Sequence, residues 1–362
     1  MKRKIIITGL CLFVLLSAGW VWRQQAMTAQ QQTQKINTTP ATPLKIEPAK
    51  DSDATGKTVA AAKVFLATLD DAGRAKVSLA FDSNLKSRWT NLPVGVGNPR
   101  NGVRWGDLSQ PQRDAALKLL ATALSKPGLQ KVKEIMEGDE VLRVGASGRG
   151  GRPMFGRDEY YLALLGAPSL TEPWMLQFGG HHLAINLTLA GKANVMAPSL
   201  PATQPGTFQM NGETVRPLGD EYDKGFALIN ALDAEQQKQA ILPYQVRNLV
   251  LGAGEDGKTI QPEGIKVSAL NKAQQEQLWD VIHEWVGILN DEAAAKKMAE
   301  IKANLSQTFF AWSGPTTKGS TAYYRIQGPT LLIEFSPQGS TEHIHTIYRD
   351  PTNDYGARLV KR

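Results

Sequence analysis

"EPWMLQFGGHHLAINLTLAG", residues 172–191, decides the fold, because it reads as two strand halves meeting near a pair of glycines. Apolar and polar residues alternate along both halves, the period of a sheet with one face on a core. A Gly-Gly pair between such halves is a hairpin signal. With Gly179 and Gly180 as the turn, Gln177 is expected opposite His182, Leu176 opposite Leu183 and Met175 opposite Ala184. Trp174, Leu176, Leu183 and Ile185 then share an apolar face, and Gln177, His182, Asn186 and Thr188 share the other. His181 falls on the apolar side, near enough to the turn for its ring to reach round the sheet end.

Working outward, residues 158–166, 172–180, 181–191, 321–329, 330–335 and 343–350 carry strand composition punctuated by glycine and proline turns. Helical periodicity predicts helices over 58–81, 110–125, 128–138, 222–243 and 271–303. In the last of these, Leu278, Ile282, Trp285 and Leu289 form a stripe that packs on a core. Ser109, Asp233 and Asn271 are each followed three residues later by Gln, the capping-box pattern of a helix start. Neighbouring strands joined by short turns, with helices between the blocks, predict an α+β fold. The expected architecture is an antiparallel sheet of hairpins with helices packed to one side, after an N-terminal membrane segment and linker.

The N-terminus joins Lys2, Arg3 and Lys4 to an apolar run from Ile5 to Trp22. Eighteen residues rise about 27 Å as a helix, the lower limit for a bilayer. Residues 1–29 therefore read as a signal anchor or a signal peptide, with the basic end held in the cytoplasm. Residues 30–57, rich in Gln, Thr and Pro, read as a flexible linker, and 58–362 as a single exported α+β domain. The expected location is periplasmic or extracellular, with membrane contact through the N-terminal segment only. The net charge of +7 suggests nucleic acid until its placement is considered. The N-terminal segment carries +4 and the linker +1, which leaves about +2 for the domain and no Lys/Arg run. Nucleic acid is not an expected partner. Cys11 is the only cysteine of the chain, so the exported part has neither a thiolate ligand nor a cysteine nucleophile.

Four of the five histidines fall in two tight clusters, His181 with His182 and His343 with His345. On a strand, His343 and His345 point to one face, where two imidazoles can converge on one ion. Each pair alone is an ordinary decorated hairpin. Together, and without cysteine, they point to one divalent metal ion, zinc or copper, since imidazole suits both. His283 lies on the amphipathic helix and reads as structural.

The segments "FGRDEYYLALLGAPSLTEPWMLQFGGHHLAINLT", "FFAWSG", "YYRIQGPTLLIEF" and "HIHTIYRDPTNDYG" closely resemble the bacterial domain of unknown function 3500 family, over most of the chain from about residue 58. The resemblance implies that the GGHH and HIH motifs are family signatures, carried here by His181, His182, His343 and His345. It brings no established activity. The chain departs from the family pattern at Glu342, where the family has Asn, and a carboxylate there is itself of ligand type.

Other polar residues near these motifs have a structural and a chemical reading. Glu334 interrupts an apolar strand, facing solvent or acting as ligand or general base. Arg349 and Asp350 read as an ion pair shaping a loop, or Asp350 as a group that orients a ligating ring. Arg157, Asp158 and Glu159 read as loop anchors, and Tyr323, Tyr324 and Tyr348 as packing. The Gly-rich run 145–156 lacks a phosphate-loop ending and reads as a loop or lid. The expected function is a cell-envelope, histidine-ligated metalloprotein. As an enzyme it would be hydrolytic with zinc or oxidative with copper, acting on a small substrate; the alternative is a non-catalytic metal- or ligand-binding protein.

Overall fold

The computed structural model describes residues 33–35, 42–97, 99–145 and 154–360 of the 362-residue chain. The apolar run of residues 5–22 lies outside the described residues. Among them, no helix is long and apolar enough to cross a membrane. The 30–57 segment, expected as a linker, makes specific contacts where it is described. Leu44 N donates to Arg358 O at 2.7 Å, Lys192 N to Glu47 O at 2.8 Å and Ala49 N to Leu170 O at 2.9 Å. Strand Thr33–Lys35 pairs with Lys258–Ile260.

The protein is a mixed α+β structure with antiparallel sheets. One sheet is centred on strands Tyr161–Leu165, Trp174–Gly180 and Leu183–Ala190. The other runs Ile265–Lys266, Phe309–Ser313, Tyr323–Gly328, Leu331–Pro337, Ile344–Arg349. Strand Phe309–Ser313 was not among the expected ones. Residues 199–203 lie between the two sheets and bond to both. On one side Leu183 pairs with Pro201 and Ala184 with Leu200. On the other, Ser199 bridges Tyr348 and Thr203 bridges Ile344.

The opening hairpin keeps its faces but not its register. Gly180 pairs with Leu183 and Gln177 with Asn186, so the turn is His181–His182 rather than Gly179–Gly180. The displacement is two residues, and an even shift leaves every side chain on its expected face. Trp174, Leu176, Phe178, Ile185, Leu187 and Leu189 duly join the main core. The glycines are needed inside the strand because neighbours press on them. A Cβ on Gly179 would sit 2.4 Å from Leu183 O, and one on Gly180 would sit 2.8 Å from the Tyr160 ring. The left-handed backbone of the turn falls on His182, with φ 61°, a region histidine enters more readily than most residues.

Three of the predicted helices are interrupted. The 58–81 block is Ala54–Ala67 plus Asp71–Val77, the 222–243 block is Gly219–Ala231 plus Ala234–Ala240, and the 271–303 block is Lys272–Val286 plus Asp291–Ala303. Each second helix has its own cap, with Asp70, Asp233 and Asn290 accepting from the backbone N–H of Gly73, Gln236 and Ala293. The capping boxes at Ser109, Asp233 and Asn271 are all formed. Leu278, Ile282 and Trp285 are buried in the main core as the stripe requires. Trp285 Nε1 also donates to Thr346 Oγ1 at 3.0 Å, which itself donates to Pro201 O at 2.6 Å. That chain of bonds ties the helix to both residues 199–203 and the strand that follows His343.

Gly179→Ala is expected to destabilise the fold by about 2 kcal/mol or more, because the added carbon meets backbone that cannot step aside. Urea unfolding measures this, and an unchanged midpoint would refute the close approach.

Candidate metal centre

His181 and His182 sit at the hairpin tip, held from three directions. Tyr160 Oη donates to His181 O at 2.7 Å, His182 N donates to Asn91 O at 3.1 Å, and Ala202 N donates to His182 O at 2.8 Å. His343 closes the loop between Leu331–Pro337 and Ile344–Arg349, where Gln338 N donates to its carbonyl at 2.6 Å. His345 stands opposite Ser336 in that pair of strands. Residues 199–203 set the two motifs side by side.

The rings meet through their Nε2 atoms. His182 Nε2 lies 3.0 Å from His343 Nε2, which lies 2.9 Å from His345 Nε2. A neutral ring nitrogen carries either one hydrogen or one in-plane lone pair, so His343 Nε2 can satisfy only one of these contacts well. Three lone pairs directed at one cation resolve the conflict. A tetrahedral zinc with bonds of 2.0–2.1 Å holds its nitrogens about 3.3 Å apart, close to the separations seen. His182, His343 and His345 thus form a group able to hold a metal ion.

A second such group is Asp139, His181 and His182. Asp139 Oδ1 lies 2.5 Å from His181 Nδ1, while Oδ2 accepts from Gly156 N at 2.9 Å. A carboxylate on Nδ1 holds the ring hydrogen there and leaves the Nε2 lone pair for a metal, the usual support of a ligating histidine. The His181 ring contacts Phe155 and His182 in tilted arrangements, with centroids 4.9 and 3.6 Å away. Sequence reading missed Asp139. Its signal was available: Val132, Ile135, Met136 and Asp139 follow one apolar helix stripe, and an acid on such a stripe must have a partner.

Electrostatics keep the rings neutral. Burial first, then the neighbouring imidazoles, push His182 well below the usual histidine range. The same causes in the same order lower His343, and take His345 down to about 3. Ligation needs the neutral form, and it is the form this site favours.

The remaining predicted residues lie elsewhere. Glu334 is fully buried, with Oε1 accepting from Leu251 N at 2.7 Å and Oε2 from Val250 N at 2.7 Å and Tyr323 Oη at 2.8 Å. Both oxygens are engaged, so the geometry gives Glu334 a loop-holding position and not that of a base. Glu342 is exposed and accepts from Thr207 N at 3.0 Å. Asn186 is bonded to Gln177 and Pro198 O. Arg349 and Asp350 are both ion-paired, but not to each other: Arg349 meets Asp256 and Asp354, and Asp350 meets Lys297. Their side chains diverge because Arg349 ends the strand and Asp350 begins the following turn. Arg157, Asp158 and Glu159 pair with Glu137, Arg113 and Arg104. His283 is exposed on helix Lys272–Val286, outside both groups. Most of the Gly-rich run, 146–153, lies outside the described residues.

Fold and site together define an α+β protein whose buried histidines could bind a metal ion. The chain belongs to the family described as protein of unknown function, DUF3500, whose model matches residues 51–357. No curated protein and no solved structure matches it.

The lowered rings make metal-free stability depend on pH. Unfolded histidines protonate below about 6.5, whereas the folded rings resist. Their contribution is complete above that pH and is lost as pH falls, for His345 down towards about 3. Thermal melts of metal-free protein should show Tm falling from pH 6.5 to 4, and less steeply for His345→Gln; parallel profiles would contradict the burial.

Proposed function

We propose that this protein is a cell-envelope metalloprotein in which His182, His343 and His345 hold one divalent ion, with His181 as a further ligand steadied by Asp139. The observation that carries the reading is that His343 Nε2 stands 3.0 Å from His182 Nε2 and 2.9 Å from His345 Nε2. Zinc or copper fits an all-imidazole donor set. His343 and His345 are only half-buried while His181 and His182 are buried, so solvent and a small substrate can approach one side of the centre. An ion with an accessible position supports an enzyme: zinc would polarise an ester or carbonyl, and copper would support oxidation. The chain's own residues supply the rest. Asp139 orients His181, and the aromatic ring of Phe155 shields it from water on one side. The exported location follows from the basic residues and apolar run at the N-terminus.

Full-length protein purified without an affinity tag should carry close to one zinc or copper per chain. His343→Ala combined with His345→Ala should empty it, and full occupancy in that variant would refute the assignment.

Enzyme and carrier are separated by a second measurement. Azide or cyanide should change the spectrum of protein loaded with Cu²⁺ or Co²⁺ if a coordination position is open. An unresponsive spectrum would favour a closed site that stores or passes on metal.

A further inference from the structure

Beside the histidine turn, two arginines share a cleft with no acid to neutralise them. Arg88, Trp89, Arg100, Tyr161, Gly179 and Leu183 are among its lining residues, so the cleft reaches to within a residue of His182 along the chain. It holds about 270 Å³ of free space, part of it open solvent.

Arg100 is the unusual member. Its Nη2 donates to the carbonyls of Thr90 and Leu92. Its Nε is buried without any hydrogen-bond partner. The guanidinium carbon lies 5.9 Å from the centre of the Tyr161 ring. Among the described residues, no carboxylate reaches ion-pair distance of Arg100 or of Arg88, whose Nε donates to Asn101 Oδ1 at 2.9 Å. Burial pulls Arg100 below its usual range, and Tyr160, Tyr161 and then Asp139 and Glu159 offset this only in part. Arg100 is half-buried, and a guanidinium bonded to carbonyls alone keeps a charge that an anion in the cleft would offset. With Nη2 committed to carbonyls and Nε enclosed, Nη1 is the nitrogen without a hydrogen bond, left to donate to a carboxylate or phosphoryl oxygen entering the cleft.

We infer that the cleft between Arg88 and Arg100 is an oxyanion subsite, which anchors the carboxylate or phosphoryl end of a small substrate beside the histidine centre. Its role as a substrate anchor rests on the metal-site reading, but its affinity for an anion does not.

The test is calorimetric titration of the metal-free full chain with inorganic phosphate and, separately, with acetate. Saturable binding of at least one is expected, unchanged in the His343→Ala, His345→Ala double variant. Arg100→Gln should weaken it at least tenfold and Arg100→Lys less. Arg88→Gln should also weaken it, and serves as the second variant should Arg100→Gln not fold. The stronger of the two anions identifies which group the subsite takes. Absence of binding by both anions, or binding unchanged in both glutamine variants, overturns the subsite. Anion binding by a chain that takes up no metal would leave the subsite standing and remove the metal centre.

Discussion

Residues 199–203 are the constraint on which the molecule depends. They bond on one side to the strand leaving His182 and on the other to the strand leaving His343, with N–H···O contacts of 2.8–3.0 Å. Two antiparallel sheets that would otherwise be separate hairpin stacks are thereby joined edge to edge. Their joining brings together histidines 161 positions apart in the chain. The Thr346 hydroxyl, shared between Trp285 and Pro201, fixes this seam to the helical layer.

At that seam, packing and polarity oppose each other. A hairpin tip is normally solvated, yet this one is roofed by Tyr160, Phe155 and Asn91, and its two histidines are almost fully buried. His182 adopts a left-handed backbone at the same point. Uncommon backbone and crowded imidazoles are tolerated together where surrounding structure over-determines them, as at functional sites. The Nδ1 of His182 is buried and unpartnered, so even the support of the rings is uneven. His181 has its carboxylate, and His182 has only its neighbours.

Much of this was legible in the sequence, for reasons that differ by element. The faces of strands Trp174–Gly180 and Leu183–Ala190 follow from period-2 alternation, which a shifted turn cannot disturb if the shift is even. Register was not legible, because a Gly-Gly pair signals a turn and close backbone approach alike, and the Tyr160 ring under Gly180 comes from outside the hairpin. The helices at Gln110, Ala234 and Lys272 announced themselves through caps that act within one turn. The break at Gly287–Asn290 was obscured because the apolar stripe runs on to Leu289, which stays buried beyond the helix end. At the site, the histidine motifs were visible as local clusters, whereas Asp139 reaches His181 from a helix 42 residues earlier. Glu334 looked chemical because a carboxylate in an apolar strand is conspicuous. Two of its three partners are backbone N–H groups from a distant loop, which have no sequence signature.

The span between His182 and His343 has a further consequence for a chain whose one cysteine precedes residue 12. An ion gripping both ends would act as a cross-link closing a very long loop. Loop-closure entropy grows slowly with length, so tying ends this far apart confers nearly the largest stabilisation a single link can give, about 4–5 kcal/mol on the scale set by disulfides. Unlike a disulfide, such a link needs no oxidant and can be undone by a chelator. The proposed centre would then be a reversible clasp on the tertiary structure as well as a place for chemistry.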